Sequence, residues 1–172
     1  MIINRTWAMP NENTFSIKPI KELIEKYVYN KKTIIDPFSR NSPFKDVSIT
    51  NDINTLFNAD YHMDALDFLR SMGGADLVLF DPPYSPRQVS ECYKTAGVSV
   101  NMKTTQASFW SNIKSEIGRI VVSGGHCITF GWNSGGVGKK YGFEIVEILM
   151  VAHGGWHNDT ICTVEIKTPS LF

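Results

Sequence analysis

Three short, mostly apolar runs that each end in an acid constrain this chain more than any other feature. Thr33-Ile34-Ile35 stops at Asp36-Pro37, Val47-Ser48-Ile49-Thr50 at Asn51-Asp52, and Ala75-Asp76-Leu77-Val78-Leu79-Phe80 at Asp81-Pro82-Pro83-Tyr84. Near-continuous apolar runs suit strands buried on both faces, the condition of a parallel sheet. Such a sheet needs helical crossovers. Ile20, Leu23, Ile24, Tyr27 and Val28 stand at helical spacing behind Pro19, and residues 63–69 read as a short helix closed by Gly73-Gly74. Phe109, Trp110, Ile113, Ile117, Ile120 and Val121 form a further stripe ending at Gly124-Gly125. Cys127-Ile128-Thr129-Phe130 follows as a strand and residues 131–138 as a flexible loop. Residues 143–151 and 160–166 read as an antiparallel pair joined by a Gly/Trp/His turn. The expectation is a single α/β domain: a doubly wound, mostly parallel sheet with a C-terminal antiparallel hairpin and ligands at the carboxyl edges.

Composition excludes several classes. The 17 Lys+Arg balance 17 Asp+Glu, so no global field draws polyanions, and contact with nucleic acid requires a local basic patch. Arg87, Lys94 and Lys103 after Tyr84, and Lys139-Lys140 after the glycine-rich loop, supply that patch if they share one edge of the sheet. The N-terminus is polar and no apolar run approaches the ~20 residues of a membrane span, so the chain reads as cytoplasmic, with no membrane partner. Cys92, Cys127 and Cys162 read as small buried thiols rather than a disulfide framework. His153 and His157 flank glycines, where four-residue spacing does not converge on a metal, so none is expected.

The chemistry concentrates at Asp81-Pro82-Pro83-Tyr84. A planar exocyclic amine is a poor nucleophile because its lone pair is delocalised into the ring. The Asp81 carboxylate and the Pro82 carbonyl can accept its two hydrogens and turn the lone pair toward an electrophile. Pro82 and Pro83 stiffen the loop, and Tyr84 offers a face for a flipped base. Trp132 and Asn133, in a loop after a strand, are candidates for the rim. Asp52 and Asp64 read equally as ligands or as helix caps.

These residues, in this order, make residues 14–167 resemble the S-adenosylmethionine-dependent amino-methyltransferases, whose hallmark is Asp-Pro-Pro-Tyr after the fourth strand. The resemblance implies a Rossmann-like class I methyltransferase fold and S-adenosyl-L-methionine as cofactor. The expected reaction methylates a nucleobase amine, first of all adenine N6 in DNA, with RNA or cytosine N4 as alternatives. By resemblance, Asp36-Pro37-Phe38-Ser39 opens the cofactor loop, Ser16 and Lys18 precede it, Asp52 holds the ribose hydroxyls, and Asp64-Ala65 read the cofactor adenine. Catalysis falls to Asp81, Pro82, Pro83 and Tyr84, with Asp81 also beside the cofactor, and substrate contact to Tyr84, Arg87, Trp132, Asn133, Lys139 and Lys140. Where the family loop continues with glycines this chain has Arg40-Asn41, so Arg40 either pairs with the cofactor carboxylate or closes the pocket. The second outcome would leave a non-catalytic nucleic-acid-binding subunit beside an active enzyme. The methyltransferase domain then divides into an N-terminal arm and first helix (1–32), a cofactor half (33–84), a substrate-side loop (85–108) and a second half with the hairpin (109–172). Only residues 85–108 remain for target recognition, so a second copy or a partner subunit is expected to supply it. Such compactness is similar to small phage or prophage members of the family.

Overall fold

The computed structural model describes residues 1–84, 86–97 and 107–169. Lys103 and the rest of 98–106 lie outside the described residues, as does Ser85. Seven strands form one sheet: β1 (Ile2–Trp7), β2 (Ile34–Asp36), β3 (Ile49–Thr50), β4 (Ala75–Phe80), β5 (Val121–Gly131), β6 (Phe143–Ala152) and β7 (Thr160–Lys167). Their order is β1-β6-β7-β5-β4-β2-β3, and β7 alone runs antiparallel to its neighbours. The helices are α1 (Lys18–Val28), α2 (Ala65–Ser71), α3 (Pro86–Thr95) and α4 (Ala107–Ile120).

Alternation along each central strand divides the core into two layers. Leu77 and Leu79 of β4 join Ile20, Leu23 and Ile24 of α1 on one face. Val78 and Phe80 join Phe68 and Leu69 of α2 and Ile113 and Ile117 of α4 on the other. Helices on both faces of a mostly parallel sheet are the doubly wound arrangement expected from the sequence, and the β6–β7 pair is the expected hairpin.

Five local expectations are corrected. The N-terminal arm is an edge strand, β1, paired in parallel with β6 from Ile2↔Glu147 to Trp7↔Ala152. Its side chains are mostly exposed, so it carries no apolar pattern to read. The polar stretch after Tyr84 contains α3, in which, among the described side chains, Val89 and Tyr93 are buried and Cys92 is exposed, whereas Cys127 and Cys162 are buried. Gly124-Gly125 does not end a helix. It lies inside β5, where Gly124 (φ 78°) coincides with a register shift against β4 between Ala75 and Leu77. Helix α2 ends on Met72 in an extended conformation rather than on a left-handed glycine. Finally, the glycine-rich segment after β5 is exposed over 132–135 but packed over 136–138. Val137 is buried, and the fully buried Glu165 carboxylate accepts from the backbone N–H of Val137 (2.6 Å) and Gly138 (2.9 Å).

Among the described residues no helix is long and apolar enough to cross a membrane, and no cluster of three metal-ligating side chains occurs.

Candidate active site

In a parallel sheet the carboxyl ends of the strands lie along one edge. The ends of β2, β3, β4, β5 and β6 therefore deliver Phe38, Asp52, Asp81, Trp132 and His153 to one cleft of about 690 Å³. Residues 10–14, between β1 and α1, close its other wall. The volume falls within the ~300–1,000 Å³ of small-molecule sites.

Asp81 follows β4 directly and is half-buried at this cleft. The Tyr84 hydroxyl donates to its Oδ1. Burial pushes the Asp81 carboxyl up, opposed by side-chain bonds from Tyr84 and Thr14 and by the charge of Arg40. Burial and the Asp81 charge also push the Tyr84 phenol up, so it stays protonated as a donor. The Tyr84 backbone N–H donates to Gln88 Oε1 (2.6 Å), tying the loop to α3, and its ring meets Trp132 edge-on, with centroids 5.5 Å apart at 65°. Pro82, Pro83 and Tyr84 all line the cleft, so the tetrapeptide is presented as a unit.

The cofactor loop is only partly as read. Pro37, Phe38, Arg40, Asp52 and Ala65 line the cleft. Asp36 is fully buried beneath the start of the loop. Its Oδ1 accepts from Phe38 N–H (3.3 Å), and Oδ2 has no partner. Burial, opposed by the Phe38 bond and reinforced by the Asp81 charge, pushes its carboxyl up to about 8. Ser39 is likewise buried, with an unpartnered hydroxyl. Arg40 has φ 44°, the left-handed region that glycine favours, so the backbone keeps the path of a glycine loop without the glycine. Its amide donates to Asp52 Oδ2 (3.0 Å), and its guanidinium reaches the Glu12 carbonyl (3.3 Å) and the Phe57 ring (5.7 Å). Asp52 also accepts from Asn54 N–H (2.9 Å), and burial pushes its carboxyl up.

Other sequence candidates lie away from the cleft. Ser16 and Lys18 are exposed and do not line it; Thr14, two residues earlier, does. Asp64 is the N-cap of α2. One oxygen accepts from Leu66 N–H (2.9 Å) and the other from the Tyr93 hydroxyl (2.6 Å), so in this structure it acts as a cap. Asn41 is exposed and, with Ser39, lines a small pocket that shares Thr14, Arg40 and Asp81 with the cleft, and Asn133 accepts from Gly135 N–H (2.9 Å) within its own loop. Arg87 pairs with Glu91 (2.8 Å) on the exposed side of α3. Lys139-Lys140 precede Phe143, whose register partner Lys167 ends the antiparallel β7, so they stand at the sheet edge opposite Asp81. Among the described residues, Arg87 and Lys94 do not line the cleft themselves, though Arg87 is paired with its lining residue Glu91, and Lys103 lies outside the described residues. Sequence reading missed His153, Trp156 and Thr160, which reach the cleft because β6 and β7 turn over at its edge.

The lining suits S-adenosylmethionine, a cation with a ribose diol and a flat base. Acids Asp52 and Asp81 face the cleft, Phe38, Met63 and Ala65 give an apolar wall, and buried polar atoms of Asp36 and Ser39 lack partners beside it.

No protein-family model matches the sequence, and no curated protein matches it. Solved structures do. NodS, an N-methyltransferase of Bradyrhizobium japonicum WM9, superposes with a TM-score of 0.63 at 8% identity, covering 93% of this chain and 100% of that one. A candidate class I S-adenosylmethionine-dependent methyltransferase of Listeria monocytogenes gives 0.60 at 16% identity, over 90% of this chain and 60% of that one. A candidate rRNA-methylase of Clostridium thermocellum gives 0.57 at 10% identity, over 94% and 99%. The chain has the class I methyltransferase fold.

Proposed function

We propose that this chain takes a methyl group from S-adenosylmethionine and places it on the exocyclic amine of a nucleobase, with adenine N6 in DNA as the first substrate. The observation that carries the reading is Asp81, held by Tyr84 at the carboxyl end of β4 on the floor of a cleft that the cofactor-type residues share. The bound cofactor supplies an electrophilic methyl group. Asp52 is the acceptor for the ribose hydroxyls, Phe38, Met63 and Ala65 cover the cofactor base, and Arg40 is the cation for its carboxylate.

The other roles belong to Asp81 and its neighbours. The substrate amine donates one hydrogen to the Asp81 carboxylate and one to the Pro82 carbonyl, which draws its lone pair out of conjugation. The two prolines hold both acceptors in place before the amine arrives. Tyr84 and Trp132 give the flipped base its aromatic surfaces. The amine proton leaves to solvent after transfer, so no basic imidazole is required.

Titration calorimetry with S-adenosylmethionine and S-adenosylhomocysteine, followed by methyl transfer to adenine-containing oligonucleotides, tests the reading. Micromolar binding and transfer are expected, and Asp81→Ala abolishes transfer while leaving cofactor binding largely intact. Competition among adenine and cytosine substrates in DNA and RNA assigns the base and the polymer. Absence of cofactor binding by the folded chain, or full activity in Asp81→Ala, overturns it.

A further inference from the structure

The charge around the cleft raises a question about what holds a polynucleotide there. Among the described residues its charged lining is the acids Glu12, Asp52, Asp81 and Glu91 with the cation Arg40, together with His153 and His157, and Glu91 is already paired with Arg87 at 2.8 Å. Neutralised phosphates give duplex binders most of their affinity, and that resource is scarce here. Aromatic surface is not. Trp156 lines the same cleft as Tyr84 and Trp132 and is fully exposed, at 103% of its reference area.

The turn that carries Trp156 is anchored. Gly154 (φ 70°) and Gly155 (φ 59°) take left-handed conformations that a side chain would resist, and His157 N–H donates to the Gly154 carbonyl (3.3 Å). At its base the buried His153 is bonded on both ring nitrogens, by Nδ1 to the Ala8 carbonyl (2.9 Å) and by Nε2 to the Thr160 hydroxyl (2.8 Å). A braced turn thus spends a large indole on water at the mouth of the site. Stacking on an unpaired base recovers that cost and needs no phosphate contact.

Resting on the reading above, we infer that Trp156 stacks the base adjoining the methylated one, and that the substrate presents these bases in an unpaired strand rather than a duplex.

The test is binding of a short single-stranded oligodeoxynucleotide carrying 2-aminopurine beside adenine, followed by its fluorescence. Trp156→Ala should weaken binding by roughly 5- to 100-fold, the range for one lost base–aromatic stack. Trp156→Tyr should recover most of it, and Tyr29→Ala, an exposed aromatic outside the cleft, should bind as the parent does. Between about 50 and 200 mM salt, affinity should change less than about 10-fold, against ~10³-fold or more for a duplex binder making many phosphate contacts. Unchanged binding in Trp156→Ala, equal loss in Tyr29→Ala, no binding by the parent chain, or steeply salt-dependent preference for duplex each overturns the inference. Methyl transfer is scored separately. Trp156-dependent binding without transfer removes the proposed activity alone, whereas transfer that ignores Trp156 removes this inference alone.

Discussion

At the scale of single residues, Asp81 accepts from Tyr84 and, in the proposed reaction, would serve the substrate amine as a second donor. The Tyr84 hydroxyl occupies the carboxylate that the substrate amine also needs, and that bond lowers the Asp81 carboxyl against the pull of burial. Tyr84→Phe keeps the ring but removes the bond, so Asp81 takes up its proton at higher pH. The acid limb of the pH–kcat profile should therefore move upward in Tyr84→Phe with KM little changed, while Tyr84→Ala should also raise KM; coincident profiles for parent and Phe variant would exclude this coupling. Arg40 allows a cleaner backbone test. Its φ of 44° costs a side-chain-bearing residue about 1–2 kcal/mol that glycine does not pay. Arg40→Gly should then melt roughly 2–8 °C above Arg40→Ala by calorimetry. Both variants lose the guanidinium, and both should bind S-adenosylmethionine more weakly than the parent. The place of the tetrapeptide on the cleft was legible because its residues are contiguous and directly follow an apolar strand. Ser16, Lys18 and Asp64 do not line the cleft, and spacing alone does not reveal whether a side chain caps a helix, faces solvent or faces a cleft. His153 and Trp156 gave no local signal, since only the turn between two strands brings them to the site.

At the scale of elements, pattern was readable wherever burial wrote it. Helix α1 and strands β2, β4, β6 and β7 bury alternating or continuous apolar positions, and their existence followed from sequence. Strand β1 lies exposed on an edge and α3, among its described side chains, buries Val89 and Tyr93, so neither left a pattern. The glycine-rich crossover misled in the opposite direction, because glycine marks close approach as well as freedom. Gly136 has φ 54°, and a Cβ there would run into the Glu165 carboxylate that holds the amides of Val137 and Gly138. Glu165→Ala strands the buried Val137 N–H and the part-buried Gly138 N–H, each worth about 1–3 kcal/mol. The expected loss is about 2–6 kcal/mol, or roughly 4–24 °C in melting temperature. Gly136→Ala should destabilise the same segment, and native-state hydrogen exchange should show residues 136–138 opening first in both variants. A Glu165→Ala melting curve that overlays the parent would show that the clamp carries no stability.

At the scale of the whole molecule, the site gathers acids that the fold must keep partly out of water. Burial raises Asp36, Asp52, Asp81 and Glu165 together, and Asp36 reaches about 8. An acid whose carboxyl titrates higher folded than unfolded binds more protons in the native state. Its contribution is present in full below the unfolded value near 3.9 and is lost as pH rises through the folded one. Two acids act in the opposite sense. Asp76 is lowered by the Thr33 amide bond, assisted by Lys32, and at Glu147 the bonds from Lys26 and Tyr27 outweigh burial, so both withdraw stability as pH falls through their folded values. The larger group of raised acids sets the slope above that range. Urea midpoints should therefore fall from about pH 5.5 to about pH 8 with the m-value unchanged, the fall being partly offset by His126, which burial lowers and which adds stability as pH rises through its range. Asp36→Asn keeps the Oδ1 acceptor for Phe38 while removing the charge, so it should approach the parent only toward about pH 4 and exceed it increasingly up to about pH 8, with little further change above. Parallel midpoint curves for the two proteins would mean that Asp36 is ionised without cost, and the unpartnered oxygen beneath the cofactor loop would then need another explanation.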